Sequence, residues 1–417
     1  MSSGKTKSGL VREPAYILKD IDKAAEIALF YGFQPVKTPK IEKSDIDQAA
    51  DIISSRPDSI KTAFPRAEEK ISLLRTFSTW NLQTEPQPVM VQYKRPVSQL
   101  SIKRAADENH YSLDMLGSAD SVSEAIAIRT AVAILADHGH DKIIVDINSL
   151  GDKYSVMQFE KELVNFSKKY SSSFTPEVKA QLKKDPFDVW RIDNEKLREV
   201  REKAPQALSY LSENGVEQFG RVLEYLETLN IPYRINHSLV GHKNYCSHTI
   251  FEIRSAAENI PENATGSGSP TEETFAIGTR HNYLAKRIGF KRDMPMVSVN
   301  LNFKKAAPVP KLFFKNKPQP KFFFIQFGSI AKLKSLSVIE SLRQARIPVH
   351  HQLNSDKFIG QLAAAESLKM PFVIIMGQKE ALENTAVVRH IPSRSQEVVL
   401  LPDLPHYLSK LNTTLLA

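Results

Sequence analysis

Apolar positions recur at helical spacing over 17–30, where Ile17, Ile21, Ala24, Ala25, Ala28 and Leu29 fall on successive turns. Gly32 follows, a residue that closes a helix cheaply at positive φ. The pattern predicts a helix, then a short strand over 33–38, where Phe33, Pro35 and Val36 precede Pro39. β-rich stretches are expected at 71–75 and 89–94. Residues 119–137 predict a long helix through Val122, Ala125, Ile126, Arg129, Val132 and Ala133. A strand over 141–147 is closed by the turn residues NSLGD at 148–152. From 153 to 229 the chain is charged and helical, which predicts a helical insertion or a bundle beside a sheet. Strands are expected again at 232–235, 248–254 and 295–302, with a loop over 256–274 and a short helix over 282–288.

The clearest boundary follows. Between Lys304 and Lys334 there are eight lysines and no acidic residue, and Pro308, Pro310, Pro318 and Pro320 interrupt the run. Proline removes a backbone donor and fixes φ, so 306–321 reads as a linker. Beyond it, strands at 322–327, 348–352, 371–376 and 397–401 alternate with helices at 330–345, 358–368 and 407–411. That order predicts a small α/β domain over 322–417.

The 417 residues suffice for roughly two to four domains. With 41% hydrophobic and 25% charged residues, the chain is neither disordered nor fibrous. The single cysteine, Cys246, excludes an intramolecular disulfide framework and a multi-cysteine metal site, and it reads as a small buried apolar residue. No apolar run approaches the ~20 residues of a membrane span. The polar, basic N-terminus has no signal-peptide core behind it, so a cytoplasmic location is expected. The net charge of +9 attracts polyanions, although solubility alone accounts for such a surplus. Phosphate-loop, dinucleotide-binding, HExxH and GxSxG motifs are absent from the sequence. The pairs His138/His140 and His350/His351 have no third ligand beside them and read as surface or turn histidines.

Several segments, in order, resemble histidyl-tRNA synthetase, a class II aminoacyl-tRNA synthetase. The helix followed by GFQPVKTPKIE at 32–42 looks like the first class II motif, which builds a dimer interface. LRTFST at 74–79 stands in the place of the family's LRPEGT. YKRP at 93–96 matches the centre of the second motif, FRYERP. INSLGD at 147–152 is similar to a strand-end signature of the family. SLVGHKNYCSHTIFE at 238–252 aligns without gaps on LVRGLDYYTGTVFE, GTRHN at 278–282 on GGRYD, and PMVSVNLNFKK at 295–305 on the third motif. The last domain resembles the anticodon-binding domain of this subclass. The resemblance implies an α+β fold with a class II core over 1–305, an antiparallel sheet flanked by helices. It also implies a helical insertion over about 153–230, the 306–321 linker and an anticodon-binding-like α/β domain over 322–417.

The departures bear on function. Adenylation builds charge on a phosphate, which fixed guanidinium groups stabilise. The arginines that the resemblance places in motif 2, in the histidine-binding signature and in motif 3 are here Gln92, Gly241 and Lys305. Phe77 replaces the glutamate of LRPEGT, and the second acidic position falls on Asp114, with His110 at the preceding glutamine. Asn244, Cys246, His248, Thr279 and Asn282 depart likewise. Scaffold positions such as Thr38, Pro39, Pro96, Asn148, Gly151, Phe251, Glu252 and Gly278 are kept.

No catalytic residue is assigned. Arg75, Tyr93, Arg95, Asp114, Tyr245 and Arg280 are the candidates for an ATP or amino-acid pocket, each with a structural role as its alternative. Lys311, Lys315, Lys317 and Lys321 are the candidates for RNA contact, beside Phe313, Phe314 and Phe322–Phe324. The alternative is a solvated hinge, with Phe322–Phe324 in the next domain's core. The expectation is a paralogue without efficient aminoacylation, binding RNA or regulating a partner enzyme, and forming a homodimer. The other reading is a divergent but active histidine–tRNA ligase using ATP and Mg, with Lys94, Arg95, Lys243 or Lys305 standing in for the lost arginines.

Overall fold

The computed structural model describes residues 21–53, 66–95, 108–256, 273–305, 308, 312 and 320–414. Pro96, Lys311, Phe313, Phe314, Lys315 and Lys317 lie outside the described residues, as does most of the expected linker.

The N-terminal helix α1 (Lys23–Phe30) begins where the Asp22 carboxylate accepts from the Ala25 amide. It leads into the short β1 (Gln34–Pro35), helix α2 (Lys43–Ile53) and helix α3 (Ala67–Thr79). β2 (Val89–Lys94) and β3 (Glu108–Leu116) pair antiparallel, and helix α4 (Val122–Asp137) leads to β4 (Ile143–Ser149). The helical insertion follows as α5 (Lys153–Lys169), α6 (Pro176–Lys184), α7 (Glu195–Arg201) and α8 (Glu213–Thr228). β5 (Tyr233–Ile235), β6 (Ser247–Ser255), β7 (Thr274–Arg280), the one-turn α9 (Leu284–Arg287) and β8 (Met296–Lys304) complete the first unit.

The strands form one sheet in the order β1-β2-β3-β8-β7-β6-β4-β5. Its centre is antiparallel, and β1 and β5 join parallel at the two edges. One face is apolar by strict alternation: Tyr111, Leu113 and Met115 on β3, and Val297, Val299, Leu301 and Phe303 on β8, pack with α1 and α4. Gly278 is required here, because a Cβ on it would sit 2.1 Å from the Phe251 ring.

The second sheet comes from β9 (Phe322–Gln326), β10 (Val349–His351), β11 (Phe372–Met376), β12 (Thr385–His390) and β13 (Gln396–Leu400), in the order β10-β9-β11-β12-β13. Helices α10 (Ser329–Gln344), α11 (Phe358–Ser367), α12 (Gln378–Glu383) and α13 (Leu404–Thr414) accompany it. Phe322, Phe323 and Phe324 are buried core residues. The two units share one core and are tied by polar contacts. The Tyr31 hydroxyl and the Arg129 guanidinium both meet Glu340. Lys332 Nζ lies 2.5 Å from Asp120 and 2.9 Å from Asp356.

Three expectations are corrected. Residues 71–75 are helix rather than strand: Ala67, Ile71 and Leu74 fall on one side of α3, and Leu73 and Phe77 extend it. His138 does lie in the turn that ends α4, but it is buried rather than on the surface, with Nδ1 2.6 Å from the Ile134 carbonyl. His350 and His351 sit on strand β10 rather than in a turn. Among the described residues, no helix is long and apolar enough to cross a membrane.

Candidate functional site

The second face of the large sheet carries a polar strip. Ser112 and Asp114 on β3 and Ser298 and Asn300 on β8 alternate with the apolar residues of the opposite face, and all four are buried. Asp114 and Ser298 are register partners, as are Ser112 and Asn300, so their side chains stand side by side. Helix α3 covers this strip. Its apolar side, with Ile71, Leu73, Leu74 and Phe77, packs against Val91, Tyr93 and Leu116.

The first turn of α3 supplies two charged residues that dip into the strip. Lys70 is fully buried, with Nζ 2.8 Å from Asp114 Oδ1, 2.9 Å from Ser112 Oγ and 3.1 Å from Asn300 Oδ1. Glu69 is gripped by Arg95, whose Nη2 lies 3.1 Å and 3.0 Å from its two oxygens. Burial pushes the Glu69 carboxyl up, but Arg95, Lys70 and Arg66 outweigh it and hold the group below its ordinary value. Arg95 Nη1 donates to Asn302 Oδ1 at 2.9 Å, and His110 Nδ1 meets the same oxygen at 2.9 Å. An amide oxygen only accepts, so the His110 proton sits on Nδ1.

Beside the strip, Tyr245 stacks between His242 and His281, with ring centroids 5.4 Å and 5.7 Å away. His281 Nδ1 donates to the Tyr245 carbonyl at 2.8 Å, and its Nε2 lies 2.6 Å from Thr279 Oγ1. Burial lowers His281 and His242 each to about 4. Burial pushes the Tyr93 and Tyr245 phenols well above their ordinary value, so both stay neutral.

The candidates read from the sequence therefore do not line one open cleft. Tyr93, Arg95, Asp114 and Tyr245 lie on or beside the covered strip, with Asp114 fully buried and Arg95 committed to Glu69. Arg75 points away at the far end of α3, bonded to Asp45 and the Lys40 carbonyl. Arg280 turns to the opposite face and pairs with Glu124 on α4.

The three replaced positions also part company. Gln92 belongs to the opposite face, where its amide donates to the carbonyls of Ala25 at 2.8 Å and Phe33 at 3.2 Å. Gly241 lies against Cys246, whose Cβ would be 2.7 Å from a Cβ added there. Lys305 is exposed just past the end of β8. Phe77 fills core space. Of the lysine candidates, Lys321 alone is described, half-buried immediately before β9.

The sequence reading missed Glu69, Lys70, Ser112, Ser298 and Asn300. The only signal was the recurrence of small polar residues at every second position of β3 and β8, which puts them on one face of the sheet but does not say that the face is covered. Magnesium with a nucleotide does not fit this strip: Asp114 is already matched by the buried Lys70 and Glu69 by Arg95.

A cavity of about 320 Å³ lies beside the strip, between the insertion and the sheet, with Lys153, Glu160, Lys243, Tyr283 and Arg287 in its wall. Lys243 is tied to Glu160 at 2.5 Å, and Lys153 Nζ lies over the Tyr283 ring at 4.2 Å.

Residues 325–411 match the anticodon binding domain family. The chain is 25% identical over 395 residues to the histidine–tRNA ligase of Bacillus subtilis, covering 91% of each. It is 27% identical over 402 residues to that of Geobacillus thermodenitrificans, covering 92% of each. Among solved structures it is similar to the apo histidyl-tRNA synthetase of S. aureus, at 21% identity and a TM-score of 0.49, covering 92% of each chain. Aligned with these ligases over nine-tenths of its length and matching the anticodon binding domain family over residues 325–411, the chain is similar throughout to histidine–tRNA ligases and carries a domain of the anticodon-binding type.

Proposed function

We propose that this protein is a histidyl-tRNA-synthetase-like paralogue that binds RNA and does not carry out efficient aminoacylation. The observation that carries the reading is the closed strip. Asp114 is filled by Lys70, Glu69 by Arg95, and α3 lies over both. Adenylation needs cations free to meet phosphate oxygens as charge develops. Arg95 and Lys70 are spent on internal carboxylates, and Arg280 faces the other way. The match of residues 325–411 to the anticodon binding domain family and the net charge of +9 support RNA as the partner. The homodimer implied by the family resemblance belongs to the same reading. Helix α1 itself is enclosed by its own chain, with seven of its eight residues buried, so the dimer contact has to come from its surroundings.

The test is histidine-dependent ATP–pyrophosphate exchange by the full chain. Exchange at background is expected, and exchange at the rate of an ordinary ligase overturns the reading. Filter binding of transfer RNA across a salt series tests the RNA half. Affinity is expected to fall steeply with salt, by close to one power of salt per phosphate neutralised. A flat profile would favour a protein partner instead, in keeping with a regulatory subunit.

A further inference from the structure

The ammonium of Lys70 and the oxygens that hold it belong to different elements. All three acceptors come from the sheet: Ser112 and Asp114 on β3, and Asn300 on β8. A primary ammonium has three N–H donors and no acceptor, so three converging oxygens, one of them ionised, satisfy it completely. The cradle is also braced without the lysine. Ser298 Oγ donates to Asp114 Oδ1 at 2.5 Å, and Ser112 Oγ lies 2.7 Å from Asp114 Oδ2.

Stability alone gives little reason for this arrangement. Both Lys70 and Asp114 are fully buried, and a buried ion pair is often no more stabilising than apolar residues of the same volume. Apolar residues occupy the equivalent alternating positions on the other face of the same two strands. The polar set on this face is matched in number and charge to one chemical group.

We propose that Ser112, Asp114 and Asn300 form a receptor for a primary alkylammonium group, and that Lys70 occupies it as a tethered ligand. While α3 is docked, a free amine competes against a ligand at high effective concentration and is excluded. The inference rests on the closed strip used for the proposed function. Its test reads amine binding rather than adenylation, so either can fail while the other stands.

Replacing Lys70 by alanine removes Cγ to Nζ, the atoms of n-propylammonium. The full-chain Lys70→Ala variant is expected to melt below the parent. Its melting temperature should then rise saturably with n-propylammonium. n-Propanol should bind roughly tenfold or more weakly, and tetramethylammonium, which has no N–H, should act only as a salt. The parent and Lys70→Met, which keeps the length without the ammonium, should not respond to the amine. If Lys70→Ala is recovered unfolded, refolding yield becomes the readout, with rescue by the amine and not by the alcohol. Equal effects of amine and alcohol, an absence of rescue in both readouts, or a Lys70→Met variant that responds as Lys70→Ala does would each overturn the proposal.

Discussion

The guanidinium of Arg280 closes on the carboxylate of Glu124, with Nε 2.6 Å from Oε1 and neither side chain exposed. Two further bonds run from Arg280 to the carbonyls of Ser118 at 2.8 Å and Asp120 at 3.0 Å. This arginine is therefore an internal strut between β7 and α4. Glu124→Ala leaves a buried, unpaired guanidinium and is expected to cost about 3–5 kcal/mol in urea unfolding. Replacing both partners with apolar residues, Glu124→Leu with Arg280→Met, should recover much of that loss. A Glu124→Ala variant as stable as the parent would mean that Arg280 is free to turn elsewhere.

Alignment alone suggests restoring two of the three missing arginines, at Gln92 and Gly241, where no cation remains. The structure argues against it. Gln92 is buried on the face away from the strip, and an arginine there loses two bonds to backbone carbonyls and places a charge among α1 residues. A side chain at Gly241 collides with Cys246 and with Ile250, whose Cδ1 lies 3.2 Å from the added Cβ. The Gln92→Arg/Gly241→Arg double variant is expected to gain no pyrophosphate exchange and to lose several kcal/mol of stability. A gain in exchange of tenfold or so would show that both positions reach a reacting nucleotide.

The α/β character of 322–417 was legible because its strands are short apolar runs bounded by turns, which is how buried strands of such domains read. The strip was not legible, for a physical reason. β3 and β8 bury Ser112, Asp114, Ser298 and Asn300, and a polar residue in a strand reads as solvent-facing until its partner is known. The partners are distant in sequence: Lys70 meets Asp114 across 44 positions and Asn300 across 230. The helix that brings Lys70 into place looks like a strand in the sequence, because Ile71 and Leu73 imitate alternation over a few residues. The departures at Gln92 and Gly241 were visible in the sequence, but the face of the sheet on which each lies was not.

Cys246 immediately precedes β6, lies against Gly241 and is buried. Burial pushes its thiol up to about 12, so the reactive thiolate is scarce at neutral pH. Iodoacetamide at pH 7.5 is expected to leave the folded protein unmodified and to alkylate this single cysteine once urea unfolds the chain. Intact-mass spectrometry reads both states. Rapid labelling of the folded protein would place the thiol at a surface instead.

His281 makes the fold sensitive to mild acid. Burial lowers its imidazole from 6.5 to about 4, so the folded protein keeps the ring neutral where an unfolded chain takes up a proton. The sign follows directly. Below pH 6.5 the unfolded state binds more protons than the folded state. Stability therefore falls as pH drops from about 6.5 towards 4 and levels once the folded ring also titrates. The full effect of such a shift is roughly 3 kcal/mol. His242, lowered to about 4 by the same cause, adds to it. His248 and His351, lowered to about 4 by burial as well, add to it too. Among the carboxylates, Glu69 and Glu340 are held below their ordinary value and titrate at lower pH, while burial raises Glu252 and Asp188, which take up protons first in the folded state and offset part of the loss. Urea unfolding at several pH values in that interval should show a steady loss in the parent. His281→Phe, although less stable at pH 7.5 for want of its bonds to Tyr245 and Thr279, should show a visibly shallower slope. A parent whose stability is flat from pH 7 to 5, or a variant with the parent's slope, would mean that the His281 imidazole is solvated in the folded protein and does not close the column of rings beside Lys70.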